Sequence, residues 1–284
     1  MRFLEGLFGI LEAALDEAPT TFGAFHIASV LLVIAATFIL CKKYSRMSER
    51  SLRIFTLAVW VIVVALEIYK QVVYTVEIEN GTVSADYQWY AFPYQFCSSP
   101  IYVLPFIAAL PDGRVRDCFI GFMGTFSLFA GLCVMVYPGD VFVRTVGIDI
   151  QTMIHHGLQV VLGIFYTVHY FGTRDKSKRR IFHIGAIGVF AVLVLVALLL
   201  NLIVHNALVS VGNDETFNMY YISPYHECTL PILSVLDDYL PYPVFLAIYI
   251  LGFTLSASIV YCAVMGIYNL IGRQKRIVKT GSEA

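Results

Sequence analysis

Charge is what this chain has least of. Lys, Arg, Asp and Glu make up 14% of its 284 residues, against roughly 25% in a soluble domain. That excludes an ordinary water-soluble fold. No basic field compensates: 19 basic and 20 acidic residues leave a formal charge of −1, so nucleic acid is not an expected partner. The six cysteines (41, 97, 118, 133, 228, 262) include no CxxC pair and no metal-like spacing, which argues against a zinc or disulfide framework. His226, Glu227 and Cys228 lie close in sequence, but a structural metal site normally takes four ligands. No metal and no cofactor is expected. A cleavable signal is also lacking, because the basic start is minimal and no small-residue cleavage site follows it. No internal repeat is visible, which argues against a repeat-built transporter. No feature signals an oligomeric state.

What is present is apolar length. Hydrophobic residues reach 58%, and seven stretches are long enough for a hydrocarbon core that takes ~20 helical residues. They run at about 21–40, 54–76, 93–110, 118–137, 149–171, 181–205 and 241–271. The sequence predicts an all-α polytopic membrane protein with seven transmembrane helices. Residues 1–20 form an interfacial amphipathic segment, with Phe3, Leu4, Leu7, Phe8, Ile10, Leu11 and Leu15 as its apolar stripe. Residues 21–272 form the membrane domain and 273–284 a basic tail.

Loop charge sets the orientation. Segments 41–53 and 173–180 carry five Lys/Arg each, the tail four and the 111–117 turn two. The alternate side has only Arg2 and Arg144. Positive residues stay inside, so the N-terminus is expected outside and the C-terminus in the cytoplasm. The basic loops are expected to meet anionic lipid. Asn80-Gly81-Thr82 fits an outer N-glycosylation acceptor. The chain belongs in a plasma membrane if bacterial, with an endomembrane as the eukaryotic alternative.

Polar residues inside the spans carry the functional signal. At ~1.5 Å of rise per residue, Cys97 lies ~7 Å, His26 ~7 Å, His156 ~10 Å, Lys70 ~10 Å and Glu67 ~15 Å below the outer ends of their spans. Ionisable groups at such depth face a bundle interior or a cavity, at a cost of ~2.5–3.5 kcal/mol each. A polar cavity open to the outer leaflet follows. Phe92–Pro100 is its densest stretch, with Gln95, Cys97, Ser98 and Ser99. Pro100 has no N–H for the Phe96 carbonyl, so a backbone acceptor is expected free beside Cys97. A buried cysteine is also simply a small hydrophobe, and Pro100 with Pro105 makes a tolerated kink. His155 and His156 point ~100° apart on a helix. Either one serves as a general base beside a thiol or as a hydrogen-bonding strut between helices. Gly157 allows a second helix to come close. Glu67 and Lys70 share a face and read first as a structural ion pair, with orienting a histidine or a head group as the functional reading. Asn201 and His205 lie at the outer end of the sixth span, and His169 and His183 read as interfacial snorkelling residues.

Together these landmarks resemble the transmembrane protein 164 / YwaF-like family of integral membrane proteins. The matching residues are Phe25-His26, Glu67 and Lys70, Gln95-Phe96-Cys97, His156-Gly157, Asn218 to Tyr221 (Tyr220 among them) and Pro241-Tyr242-Pro243, over about 22–260. The resemblance implies a seven-helix fold. In the animal branch it also implies phospholipid acyltransferase activity through a cysteine and a histidine, which map to Cys97 and His156. His155 is an extra histidine, and either ring is open as the partner of Cys97. Tyr225–Cys228 departs from the family pattern. Similar lipid hydrolases use a threonine and a histidine. The expected activity is acyl transfer through a thioester on Cys97, with phospholipids and lysophospholipids as partners. His26, Glu67, Lys70, Gln95, His155, Asn218 and Tyr220 are supporting or substrate-binding candidates. The alternatives are hydrolysis at the same site, or a lipid or small-ligand carrier or receptor without catalysis.

Overall fold

The structure, a computed structural model, describes residues 2–79, 82–173 and 179–281. The Asn80-Gly81 acceptor site and most of the 173–180 basic run lie outside the described residues, as do the side chains of the basic tail. Helix α1 covers Arg2–Leu11, α2 Ala24–Tyr44 and α3 Glu49–Val73. A two-stranded antiparallel hairpin follows, β1 Val76–Glu79 with β2 Thr82–Ala85, registered Val76 opposite Ala85. Next come α4 Ser99–Ala109, α5 Arg114–Phe122, α6 Leu128–Val136, α7 Val146–Thr173, α8 Arg179–Ser210, α9 Leu233–Tyr239 and α10 Tyr242–Gly281. A single π-turn, Met123–Ser127, joins α5 to α6 without a break.

Five helices are long and apolar enough to cross a membrane: Ala24–Tyr44, Glu49–Val73, Arg114–Val136, Arg180–Ser210 and Tyr242–Leu270. The other two expected spans, 93–110 and 149–171, correspond to α4 and α7, and each fails for a different reason. The apolar helix of the third span covers only Phe96–Ala109, ~21 Å at helical rise against a ~30 Å core. Extended backbone at Gln95 and a 3₁₀ turn over Phe96–Ser98 replace its expected start. Helix α7 is long enough but polar. It packs against α2, α3, α5, α6 and α10, and 19 of its 28 residues are buried. A helix shielded by its neighbours needs no apolar exterior, so α7 tolerates Asp149, Gln151, His155, His156 and Gln159. The lipid-facing role falls to helices such as α2, where Leu31, Leu32, Ile34 and Phe38 are exposed.

Small residues let the bundle close. A Cβ on Gly131 of α6 would come within 2.7 Å of the His156 carbonyl and 2.8 Å of Gln159 Cβ. A Cβ on Gly121 of α5 would collide with the Phe182 carbonyl of α8. Backbones approach this closely only where no side chain intervenes.

The short helix α4 is pinned at its C-terminal end by two arginines. Arg53 of α3 donates to the carbonyls of Ala108 and Leu110. Arg116 of α5, fully buried, donates to the Ile107 carbonyl at 2.7 Å and pairs with Glu49 at 2.6 Å. Cations there complement both the unpaired carbonyls and the negative end of the helix dipole. His169 is buried with Nδ1 3.0 Å from the Ser45 carbonyl. It ties two elements together and does not snorkel.

At the hairpin end of the bundle, the segment after α8 folds back into it. Phe217, Met219, Tyr220 and Ile222 are buried. Asn201 explains how an asparagine sits well inside α8: its Oδ1 accepts the Met219 N–H at 2.7 Å and its Nδ2 donates to the Met219 carbonyl at 3.0 Å. Tyr220 and Tyr221 are consecutive left-handed residues, with φ of 60° and 57°. Such backbone costs about 1–3 kcal/mol per residue and persists only when its surroundings over-determine it. Asn201→Leu removes both bonds to Met219 and orphans its buried N–H, at about 1–3 kcal/mol. Hydrogen–deuterium exchange should rise across 217–223 while α7 stays protected.

Candidate functional site

The site grows from one backbone feature. The 3₁₀ turn Phe96–Ser98 lets the Ser99 N–H bond to the Phe96 carbonyl. The acceptor left over is therefore the Cys97 carbonyl, not that of Phe96 as the α-helical register implies. Two side chains of α7 take it: His155 Nε2 at 2.8 Å and Gln159 Nε2 at 2.6 Å. Residues four apart share a helix face, so both reach the same oxygen.

That contact assigns the imidazole. A carbonyl only accepts, so Nε2 of His155 carries the proton and Nδ1 carries the lone pair in the neutral ring. Nδ1 is buried and has no hydrogen-bond partner among the described residues, as do Gln159 Oε1, Gln95 Oε1 and Ser99 Oγ. Four unsatisfied polar atoms around one turn depart from the rule that buried polar groups are paired. Sites with spare capacity of this kind are where a ligand's own donors and acceptors fit.

His156 sits differently. Its Nδ1 lies 2.8 Å from the Thr152 carbonyl of its own helix, and its ring centroid is 5.6 Å from that of His155. Its neighbours are α6, at Gly131, and α2, where Val33 stands 2.6 Å from a Cβ built on Gly157. The histidine contact to Cys97 is thus made by His155, through the carbonyl and not the thiol.

Glu67 and Lys70 form the expected ion pair, Oε1 to Nζ at 2.8 Å. Gln71 joins it, donating from Nε2 to Glu67 Oε1 at 2.8 Å and to the Ala91 carbonyl at 2.7 Å. Tyr87 donates to Gln71 Oε1 at 3.0 Å. Burial, and then the Glu67 charge, push the Tyr87 phenol up to about 12, so it remains a donor at any physiological pH. Both charges of the ion pair act electrostatically on Cys97 and on His155. A groove of about 420 Å³ runs beside this cluster, lined by Val64, Glu67, Ile68, Pro93, Ile101 and Tyr102 among others. Its walls are apolar, and Glu67 is its charged residue.

The remaining candidates make contacts within the framework. Both nitrogens of His26 are used: Nδ1 accepts the Phe22 N–H at 3.0 Å and Nε2 lies 2.9 Å from the Met135 carbonyl. It is a strut between α2 and α6 and does not join the cysteine turn. Asn218 accepts the Ser223 N–H at 2.8 Å and donates to the Glu227 carbonyl at 3.0 Å, which closes the loop after α8. Tyr220 packs its ring on Phe96 and Tyr94, with centroids 5.4 and 5.7 Å away. Gln95 Nε2 reaches the Tyr90 carbonyl at 3.3 Å and the Asn218 carbonyl at 3.5 Å, both long. In the Tyr225–Cys228 stretch, Tyr225 stacks on His205 with centroids 3.7 Å apart, and the Cys228 N–H donates to Asp237. The residue that the sequence reading missed is Gln159. Its signal was available: a glutamine one turn after His155 in an otherwise apolar run.

A largely helical, multi-pass integral membrane protein, whose most buried long helix holds a cysteine turn through a histidine and a glutamine, is the class this geometry defines. A family model described as the TMEM164 family matches residues 21–268, and the chain belongs to that family. No curated protein and no solved structure matches it. The match contains every residue of the cysteine turn and of the α7 face that holds it.

Gln159→Leu leaves His155 as the only donor to the Cys97 carbonyl. The turn should loosen, and Cys97 should react several-fold faster with a membrane-permeant maleimide, with thermal stability lowered by about 1 kcal/mol, the net worth of one such bond.

Proposed function

We propose that this chain is a membrane phospholipid acyltransferase that works through an acyl thioester on Cys97 with an α7 histidine as base. The observation that carries the reading is the double anchoring of the Cys97 carbonyl by His155 and Gln159, which holds a nucleophile-bearing turn against an imidazole with a free, buried lone pair. His155 is the base this geometry favours. His156, favoured by the family resemblance, is the competing assignment. In the first half-reaction the imidazole takes the Sγ proton, Sγ bonds to the ester carbonyl carbon of a donor phospholipid, and the C–O bond breaks. The leaving lysophospholipid oxygen takes the proton back from the imidazolium. In the second half, a lysophospholipid hydroxyl gives its proton to the same imidazole and attacks the thioester. The C–S bond breaks and the thiolate is reprotonated. The Glu67–Lys70 pair lies within electrostatic range and is suited to orient the imidazole or a head group.

The same reading takes α4 and α7 as the sixth and seventh members of a seven-span bundle, with the N-terminus outside and the C-terminus cytoplasmic. The alternation of basic and bare loops supports it. The cysteine turn then opens toward the outer leaflet, where lipids enter laterally, and the basic loops rest on anionic lipid. If water replaces the acceptor hydroxyl, the same chemistry is hydrolysis. A carrier or receptor is the second reading, favoured by the open apolar groove beside Glu67.

Intact-mass measurement of the protein purified from lipid should show a hydroxylamine-labile acyl adduct on Cys97. Cys97→Ser should remove it. His155→Ala should slow adduct formation by about 10²-fold or more, the usual worth of a general base, with His156→Ala less affected. The opposite ranking of the two histidine variants assigns the base to His156. Ligand binding that survives Cys97→Ser but fails in Glu67→Gln, with no adduct in the wild type, makes the protein a carrier.

A further inference from the structure

A second cavity lies at the N-terminal end of α7 and shares no lining residue with the cysteine turn. It measures about 340 Å³, within the small-molecule range. Leu15, Pro19, Phe25 and Val146 give it apolar walls, and Thr20 and Asp149 are its polar lining. The N-terminal segment roofs it. Ala14 pairs with Thr145, the Leu15 N–H donates to the Arg144 carbonyl at 2.8 Å, and the Val146 N–H donates to the Ala13 carbonyl at 2.9 Å.

Asp149 is 1% exposed. Its Oδ1 accepts the Val143 N–H at 2.9 Å, while its Oδ2 is buried with no partner. The Val143 N–H favours the charged carboxylate and burial opposes it, so the charge needs a partner. No residue lining the cavity is basic. Arg144, the nearest guanidinium in sequence, donates its Nε–H to the Leu15 carbonyl. A buried carboxylate without a counter-charge is costly. We propose that this cavity is a binding site for a small organic ammonium: an N–H-bearing cation on a short apolar stem, with its charge on Asp149 Oδ2 and its stem on the apolar walls. The inference stands apart from the acyl chemistry, since no residue of the cavity belongs to the cysteine turn.

The test is a titration of n-butylammonium into the purified full chain in detergent, read as thermal stability and by calorimetry. Butan-1-ol is the uncharged control of equal bulk. The expected result is saturable stabilisation by the ammonium and none by the alcohol. Asp149→Asn should weaken binding roughly tenfold or more, the scale of one lost charge-assisted bond. Val146→Trp keeps the carboxylate and fills the space. It should weaken binding as much, and it decides the matter if Asp149→Asn does not fold. No saturable effect of the ammonium, equal binding of the alcohol, or unchanged affinity in the variant that folds overturns the proposal.

Discussion

The bundle depends on the Cys97 carbonyl receiving two hydrogen bonds from α7. The α4 helix begins late, through a 3₁₀ turn, and that leaves one backbone acceptor pointing into the protein. An unmade bond to a buried carbonyl costs about 1–3 kcal/mol. His155 and Gln159 satisfy it together. The dependence is mutual. Two polar side chains on the most buried long helix would themselves be costly without that oxygen. The late start of α4 and the polarity of α7 are therefore one feature seen from two elements.

Placement follows from that pairing. A helix with this many polar groups belongs at the centre, and α7 is wrapped by α2, α3, α5, α6 and α10. Gly131 allows the approach at the level of His156 and Gln159. Arg53 and Arg116 hold the far end of the short α4. Met219–Ile222, locked by Asn201, closes the bundle over the aromatic cluster of Tyr94, Phe96 and Tyr220. The cysteine turn is thus held at its carbonyl by α7, at its helix terminus by two cations and on its aromatic side by a strained loop.

Much of this was legible in the residues. Apolar length marks α2, α3, the α5–α6 pair, α8 and α10, because a lipid-facing helix must be apolar nearly all round. The Glu67–Lys70 pair followed from three-residue spacing alone. The two remaining spans read less well for the same reason that they matter. Helix α4 is short and α7 is polar, so neither obeys the rule for a helix in lipid. The free carbonyl was expected one residue too early, at Phe96, because proline arithmetic assumes an α-helical register and the chain takes a 3₁₀ turn. His26 looked like a site residue by depth. Its actual partner, the Met135 carbonyl, is 109 positions away in sequence, and no local pattern encodes that contact. Asn218 and Tyr220 lie near the cysteine turn, where their own contacts are a loop closure and an aromatic cluster.

His26 and His155 show how a buried membrane histidine is sorted. Both are nearly inaccessible, and each donates to a backbone carbonyl of another helix. A neutral imidazole has one donor and one acceptor. His26 spends both, on Met135 and on Phe22, and protonation would cost it a bond. His155 spends only the donor. Its lone pair remains unused, with a carboxylate and an ammonium in electrostatic range. A strut gains nothing from an unused nitrogen in low dielectric, where the unpaired acceptor is a standing cost of order 1–3 kcal/mol. A proton acceptor requires one. Burial and residue type are the same in the two cases; the count of used nitrogens separates them, and His155 is the one whose second nitrogen has no partner among the described residues.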